Sequence, residues 1–397
     1  SGSSVLISQY WGKGDVESIN RVMGIGCYVA GAISVLFALA MGLFPRQLMG
    51  MLTDNPALVE IAAGYARIVG PSYLFNSLTG IYVGAHRSMG NPRLGLVVFT
   101  ISMCTNTALN WVLIFGNLGA PRLEVEGAAL ATLISRVVEF AAMAVYAGVN
   151  RRFRLRLSCL IRPGREIVRK FIHYSGPVVF NEGMWGLGTS LYKVIMGHME
   201  GSTEILAARA LAGNIEDICL VAIFAMAGTT GITVGREIGS GRDSGTVYQV
   251  GAAMDTLALF CGLGIGLVLL AATRLFLAPV VYPLFRLSEN AAGIATMMLT
   301  FTAAAMPLRA FNTTNTVGVL RGGGDVRAAM LIDILPLWCV ALPLAALFGL
   351  GLRWGIFWVY VGVFMEQAAK LGAGVRRFRS RGWIVDVTMA GRNEKRN

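Results

Sequence analysis

The sequence predicts an all-α polytopic membrane protein, built from two parallel, pseudo-symmetric six-helix bundles. Twelve helices are expected in full and about ten complete ones within these 397 residues. The prediction rests on the composition, on the length of the apolar stretches and on an internal repeat. Hydrophobic residues make up 55% of the chain and charged residues 14%, and the mean hydropathy is +0.62. Soluble domains carry about 25% charged residues, so this apolar surplus indicates lipid as the solvent.

Ten stretches have the apolar character of a membrane-spanning helix, which needs about 20 residues. Helix is the expected conformation because lipid offers no partner to open backbone groups. The stretches lie near residues 22–44, 57–86, 94–116, 127–149, 174–199, 205–235, 246–273, 290–320, 328–350 and 354–375.

The distribution of Lys and Arg predicts the orientation. One alternating set of connecting segments holds 23 of these residues and the opposite set holds five. Because short cytoplasmic loops carry the excess of Lys and Arg, the first set is predicted to be cytoplasmic. Residue 1 and the C-terminus then lie inside a multi-pass inner-membrane protein. Topology and anionic lipid headgroups account for the net charge of +12, so no nucleic-acid partner is expected.

Two glycine-rich motifs recur along the chain. GAHRSMGNPR (84–93) resembles GVLRGGGDVR (318–327), and SQYWGKGD (8–15) resembles GREIGSGRD (235–243). All four motifs lie on the predicted cytoplasmic side, so the two repeats are parallel, related by an axis along the membrane normal. Two apolar stretches precede the second copy but not the first. We therefore expect a longer natural protein, whose first helix and most of whose second precede residue 1.

This symmetry predicts four parts: an N-terminal lobe (1–149), a cytoplasmic basic linker (150–172), a six-helix C-terminal lobe (173–375) and a basic cytoplasmic tail (376–397). The linker interleaves eight cations with Phe, Leu and Ile, which suits a segment lying on lipid headgroups or a solvated connection. The six cysteines are scattered and form no CxxC, and the three histidines are far apart, so neither disulfides nor a metal site is expected.

Residues 87–136, with RSMGNPR, NTALNWVLIFG and GAALAT in order, closely resemble the multidrug and toxic compound extrusion (MATE) family. Residues 175–197 and 321–345 resemble it as well. The resemblance implies an antiporter that exports small organic, often cationic, compounds in exchange for protons or sodium ions. Its substrate would lie between lobes that alternate access. We expect a monomer in the lipid bilayer that needs no cofactor beyond the coupling ion.

Acidic residues within apolar stretches are candidates for cation coupling, because a carboxylate in lipid is costly. Glu182, beside Asn181, is the first candidate, and the resemblance places a coupling glutamate in this helix. The alternative is a fixed ion pair, but Lys193 lies about 16 Å further along the helix, too far for direct contact. Glu216 and Asp217 are further candidates, with pairing to arginine, Arg209 or Arg309, as the alternative.

Further residues are candidates for the substrate cavity or for gating. Where many MATE members have an ionisable Asp, this sequence has Asn110, which leaves a first-lobe ion site open. Proline kinks helices and could provide hinges, although inherited packing is the alternative. The cavity candidates are Trp185, Asn106, Asn110, Asp255 and Met184, and the gate or hinge candidates are Pro71, Pro307, Asp333, Arg87 and Arg321. The spacings of Arg136 with Glu139 and of Glu366 with Lys370 predict structural ion pairs.

Two other functions compete with a cation-coupled exporter. A flippase of the same superfamily for a lipid-linked saccharide would have a cavity dominated by Arg and Lys. A membrane enzyme or receptor would need a catalytic motif or a large soluble module. RGGGD lacks the Gly-Lys-Ser/Thr of a phosphate loop, and neither GxSxG nor HExxH occurs, so an enzyme is not expected.

Overall fold

The computed structural model describes residues 2–51, 55–150 and 153–389. These residues are helical apart from turns and one isolated bridge between Gly324 and Ile384. They divide into two compact units, which are treated separately below. Unit 1 spans residues 14–171, and unit 2 comprises residues 4–13 with the described residues from 172 onward. The all-α prediction is confirmed.

Unit 1 is a bundle in which α2 packs on α5 and α6 packs on α7. Ser34 of α2 and Ser77 of α5 lie within hydrogen-bonding distance, at 2.5 Å. Helices are numbered in chain order, and α1 belongs to unit 2. The helices of unit 1 are α2 (Val16–Leu43), α3 (Pro45–Gly50), α4 (Pro56–Val69), α5 (Ser72–Ser88), α6 (Arg93–Phe115), α7 (Glu124–Val149), α8 (Leu157–Ile161) and the start of α9 (Arg165–Gly197).

Unit 2 contains longer helices, several of which pass into π-helical turns. Its core is an apolar cluster in which Met298, Leu299 and Met306 are fully buried. Its elements are α1 (Gly2–Lys13), the rest of α9, α10 (Ser202–Gly239), α11 (Ser244–Ala272), α12 (Tyr282–Leu284), α13 (Glu289–Thr313), α14 (Val326–Pro336), α15 (Leu342–Ala346) and α16 (Ile356–Arg379). The π-helical segments are Thr273–Val281, Thr314–Leu320, Leu337–Ala341 and Leu347–Gly351.

Seven helices among the described residues are long and apolar enough to cross a membrane. They are Val16–Leu43, Arg93–Phe115, Glu124–Val149, Ser202–Gly239, Ser244–Leu284, Glu289–Leu320 and Val326–Gly351. Each coincides with a predicted stretch. The stretches 174–199 and 354–375 fall largely within α9 and α16.

The predicted stretch 57–86 forms two helices, α4 and α5, and the helix is interrupted between Val69 and Ser72. Pro71 lies in this break and has no N–H to donate to the preceding turn. Pro307 behaves differently: it lies inside α13, which continues to Thr313.

The repeated motifs fold alike in the two units. Gly14 and Gly241 have φ of +76° and +77°, and Gly90 and Gly324 have φ of +81° and +98°. Only glycine adopts this left-handed conformation without strain, and it ends a helix by letting the chain turn back. The sequence repeat therefore corresponds to a repeated pair of helix-terminating turns.

An aspartate follows the first of these turns in each unit and caps the next helix. Asp15 accepts a hydrogen bond from the Ser18 backbone at 2.9 Å, and Asp243 accepts one from the Thr246 backbone at 2.9 Å. Each satisfies a free N–H of the first helical turn. The hydrogen bonds from the Thr246 side chain and backbone lower the pKa of Asp243, because they favour its charged form.

The first helix packs on unit 2, although the sequence prediction places residues 1–149 in the N-terminal lobe. Two glycines explain this placement. A Cβ on Gly12 would lie 2.3 Å from the carbonyl oxygen of Arg236, and a Cβ on Gly239 would lie 2.0 Å from that of Gln9. The backbones of α1 and α10 are therefore in direct contact.

The segment after α16 folds back over the glycine turn at 322–324. Trp383 is fully buried and stacks on Phe378, and the Val385 N–H donates to the carbonyl of Gly323 at 2.8 Å. Gln9 of α1 lies against the same segment, accepting from the Val387 N–H at 2.8 Å. The described part of the predicted tail is thus a packed element, and residues 390–397 lie outside the described residues.

We expect Gly239→Ala to destabilise unit 2, because the new methyl group meets backbone and the α1–α10 contact must open. The matched control is Gly228→Ala on the same helix, where a Cβ meets nothing within 4 Å. Ala is favoured over Gly in a helix by about 0.5–1 kcal/mol, so the control should be neutral or slightly stabilised. Thermal unfolding in detergent measures both, and equal midpoints would contradict the close contact.

Candidate functional site

Unit 2 contains a cavity of about 650 Å³. Its walls come from α9, α10, α13 with the following π-helical segment, α14 and α16. Apolar and aromatic side chains, among them Trp185, Leu220, Phe224 and Phe301, contribute much of the lining. This size and mixed lining suit a small organic molecule.

Ten charged side chains line this cavity, in equal numbers of each sign. The acids are Glu182, Glu216, Asp217, Asp333 and Glu366, and the cations are Lys193, Arg209, Arg309, Arg321 and Lys370. A charge removed from water is costly unless it is paired and hydrogen-bonded. The positions of the partners therefore determine which charges are free to interact with a ligand.

Lys370 is the centre of the first ionic cluster. Its Nζ lies 2.7 Å from an oxygen of Asp333 and 2.8 Å from an oxygen of Glu366, and it is buried. The other oxygen of Asp333 accepts from the Asn181 amide at 2.9 Å. Tyr192 donates to Glu366 over 3.4 Å. One ammonium group thus pairs with two carboxylates, which leaves the cluster a net charge of −1, and it links α14 to α16, while Asn181 connects α9 to the cluster.

Glu216 is the centre of the second cluster. Its carboxylate pairs with Arg209 at 2.7 Å and, through its other oxygen, with Arg309. Arg209 also donates to the Tyr360 hydroxyl over 3.4 Å. Glu216 is buried and both of its oxygens are engaged, whereas its neighbour Asp217 is exposed at the cavity wall. The two predicted candidates therefore differ: Glu216 is held by two arginines, whereas Asp217 is open to a ligand in the cavity.

Glu182 forms the third ion pair. It accepts from Arg321 at 3.0 Å, and the Arg321 side chain is 5% exposed while that of Glu182 is 53% exposed. Arg321 lies at the start of the glycine turn, so this pair connects α9 to the repeated motif. Arg321 contacts Oε1 of Glu182, and the exposed half of the Glu182 side chain lets water or a ligand reach the carboxylate without removing Arg321.

The other predicted cavity residues are dispersed. Trp185 lines the cavity, whereas Met184 accepts through its carbonyl from the Trp338 indole at 3.3 Å. In unit 1, the Asn110 amide donates to Asn106 at 3.0 Å. Asp255 of α11 is buried and accepts from Asn315 at 2.7 Å, and it is not among the residues that line the unit 2 cavity.

The predicted ion pairs within single helices are present. Arg136 lies 2.5 Å from Glu139 and Lys370 lies 2.8 Å from Glu366. The alternative offered for Glu216, pairing with arginine, is what the structure contains. The gate candidate Arg87 lies in unit 1, exposed at the end of α5.

Sequence reasoning missed Asn315, Tyr192 and Tyr360. A signal for the first was present: the run FNTTNT (311–316) places five polar residues inside an otherwise apolar stretch. In the structure this run spans the passage from α13 into the π-helical segment Thr314–Leu320, a kind of irregularity that is frequent at functional sites.

The fold and the ion-lined cavity define a membrane transporter rather than a soluble module. The MatE family model matches residues 1–112 and 178–347. The chain therefore belongs to the MatE family, the multidrug and toxic compound extrusion transporters.

Relatives of known sequence cover nearly the whole chain. The chain is 28% identical to an uncharacterized transporter, YisQ, of Bacillus subtilis, over 97% of this chain and 82% of that protein. It is 28% identical to a "Probable multidrug resistance protein NorM" of Bradyrhizobium diazoefficiens, over 95% and 80%. The relatives thus include proteins named for multidrug resistance.

Solved structures share the fold. One is a MOP superfamily transporter from Pyrococcus furiosus, whose structure is described as having a binding pocket of reverse polarity. It superposes with a TM-score of 0.83 at 20% identity, and the match covers 96% of this chain and 83% of that one. The bent form of the Vibrio cholerae MATE transporter VcmN gives 0.77 at 20% identity, over 96% and 84%.

We expect Lys370→Met to destabilise unit 2, because it leaves Asp333 and Glu366 without their shared cation. Breaking a buried pair from one side costs about 3–5 kcal/mol. Adding Asp333→Asn and Glu366→Gln to Lys370→Met should recover most of this loss, since no unpaired charge remains.

The matched control is Arg353→Met, which breaks an exposed pair with Glu200 at 3.3 Å. Exposed pairs contribute about 1 kcal/mol or less, so its unfolding temperature in detergent should stay near that of the unchanged protein. Equal losses for the two single variants would show that Lys370 is not the neutralising centre.

Proposed function

We propose that the protein is a secondary antiporter that exports organic cations in exchange for protons or sodium ions by alternating access. It uses no other cofactor and acts as a monomer in the inner membrane, with residue 1 and the C-terminus in the cytoplasm. Family membership supports transport of small organic compounds. The exchange and the cationic substrate rest on the charges of the cavity in unit 2.

The observation that carries the proposal is the half-exposed Glu182 opposite the buried Arg321. A cationic substrate can bind the exposed side of this carboxylate while Arg321 holds the other side, and a proton or a sodium ion can compete for the same position. Because one carboxylate cannot serve both cations at full strength, binding of either weakens binding of the other. Such competition is the thermodynamic basis of exchange.

Neighbouring side chains support this role. Trp185 lines the cavity one turn after Glu182 and offers a ring face to an organic cation. Asp217 adds an accessible carboxylate on the facing wall. The Lys370 cluster carries a net charge of −1 and the Glu216 cluster one of +1, so the two offset each other, and Glu182 and Asp217 are the acids that a cation can reach.

Five cations also line the cavity, which keeps the saccharide-lipid flippase as a second candidate. Four of them, Arg209, Arg309, Arg321 and Lys370, pair with carboxylates, and five acids balance the five cations of the lining, so the cavity lacks a surplus of positive charge. An anionic lipid-linked saccharide would need that surplus. The balance of charges therefore favours the cation exporter.

We expect Glu182→Gln to reduce driven export at least tenfold, because the competing carboxylate is lost while the side-chain shape remains. The measurement is ethidium transport by the full-length protein in liposomes, with a pH gradient and a sodium gradient imposed separately. Glu200→Gln, which changes an exposed acid paired to Arg353, is the matched control and should transport normally. Unchanged transport by Glu182→Gln under both gradients would refute the site.

A further inference from the structure

Asp255 and Asn315 form an isolated polar pair in the core of unit 2. Asp255 is 3% exposed and Asn315 is 1% exposed. The Asn315 Nδ2 donates to the Asp255 Oδ2 at 2.7 Å. Asp255 lies on α11 and Asn315 on the π-helical segment that follows α13. Neither side chain lines the cavity that contains Glu182.

One oxygen of each side chain lacks a hydrogen-bond partner. The Asp255 Oδ1 and the Asn315 Oδ1 are both buried acceptors without a donor among the described residues. An unsatisfied buried oxygen costs about 1–3 kcal/mol, and more where the group is charged. The pair therefore has two buried acceptors and, among the described residues, no donor for either.

A single proton would satisfy both oxygens. In a carboxamide the nitrogen and oxygen are bonded to one carbon, as are the two oxygens of a carboxyl group. When the amide nitrogen already donates to one carboxyl oxygen, a proton on the other carboxyl oxygen can be donated to the amide oxygen. The result is a cyclic acid–amide pair with two hydrogen bonds and no net charge.

The charged groups around Asp255 are paired with other side chains, so none of them neutralises it. On the elements that pack against α11 and its neighbours, Glu216 pairs with Arg309, Glu237 with Arg236, and Arg321 with Glu182. Lys370 of α16 is held by Asp333 and Glu366, Tyr248 of α11 lies under Arg381, and Asp217 faces the cavity. A carboxylate without a counter-ion in this apolar core strongly favours taking up a proton.

The space beside the amide oxygen is kept open by a glycine. Gly374 of α16 lies against Asn315, and a Cβ at this position would be 3.1 Å from the Asn315 Oδ1. Gly374 itself has no side chain that could donate to this oxygen, and a larger residue there would press on the amide.

We propose that Asp255 and Asn315 form a second coupling site that binds one proton and is separate from the substrate cavity. The inference rests on the proposed exchange function and names its coupling ion. The proton enters at the Asp255 Oδ1, where an O–H bond forms, and it leaves from the same atom when the pair opens. Binding neutralises a buried charge and closes the acid–amide ring, so the loaded and empty forms differ in how α11 is held to the π-helical segment.

An infrared titration tests proton binding without any transport. The purified full-length protein in liposomes should show the carbonyl stretch of a protonated, hydrogen-bonded carboxylic acid, which Asp255→Asn removes and Glu200→Gln leaves in place. Asn315→Leu should shift this band to higher frequency, because the hydrogen bond to the acid is lost. A spectrum that is identical in the unchanged protein and in Asp255→Asn would overturn the site.

Ethidium transport in the same liposomes tests coupling. Asp255→Asn mimics the proton-loaded form, so transport driven by a pH gradient should fall at least tenfold while exchange of ethidium for ethidium, without a gradient, continues. Transport that stays fully pH-driven in Asp255→Asn would overturn the proposal, as would transport that depends only on sodium in the unchanged protein. If the unchanged protein moves no ethidium at all, the proposed function fails for this probe, and the infrared band still decides whether Asp255 binds a proton.

Discussion

A buried cation shared between two carboxylates is the interaction on which the ionic structure of unit 2 depends. Lys370 lies within 2.8 Å of both Asp333 and Glu366, and the first of these contacts joins α14 to α16. In an apolar interior each charge requires a partner of opposite sign. Any movement of α14 against α16 therefore has to break this contact or carry the whole cluster along. The arrangement favours motion of the helices as a group.

Much of the fold was accessible from the sequence because the bilayer constrains it so strongly. Apolar length predicted the positions of the spans, and a charge spacing of three or four residues predicted the pairs Arg136–Glu139 and Glu366–Lys370. Pro71 and Pro307 were both hinge candidates, and the structure distinguishes them: the helix is interrupted at Pro71, whereas α13 continues past Pro307. A proline removes one hydrogen bond, but whether the helix then breaks depends on the packing around it.

The candidate site was less accessible, because its contacts join distant parts of the chain. Glu182 and Arg321 are 139 residues apart, and Asp255 and Asn315 are 60 apart. The acids were found as charges in apolar stretches, but their partners could not be assigned without the packing of the helices. The clearest unused signal was the polar run 311–316. The role of its asparagines becomes clear only in the structure, where the run enters the π-helical segment Thr314–Leu320.

The two units share their helix-terminating turns but differ in their buried ion pairs. Glycines with positive φ recur at matching places in both, as do the capping aspartates. Among the described residues of unit 1, the buried acid Glu139 is held by Arg136 in its own helix, and the MATE-like helix carries the neutral pair Asn106 and Asn110. The cavity of unit 2 is lined by three ion clusters that cross between elements, and outside this cavity the buried Asp255 pairs with the neutral Asn315. If duplication gave both units the same helical scaffold, then their charged residues diverged afterwards.

Coupling to an ion requires a group whose charge state changes helix contacts, and within the described residues such groups are concentrated in unit 2. The glycine turns recur in both units, whereas the charged groups on which the proposed exchange rests lie in the second.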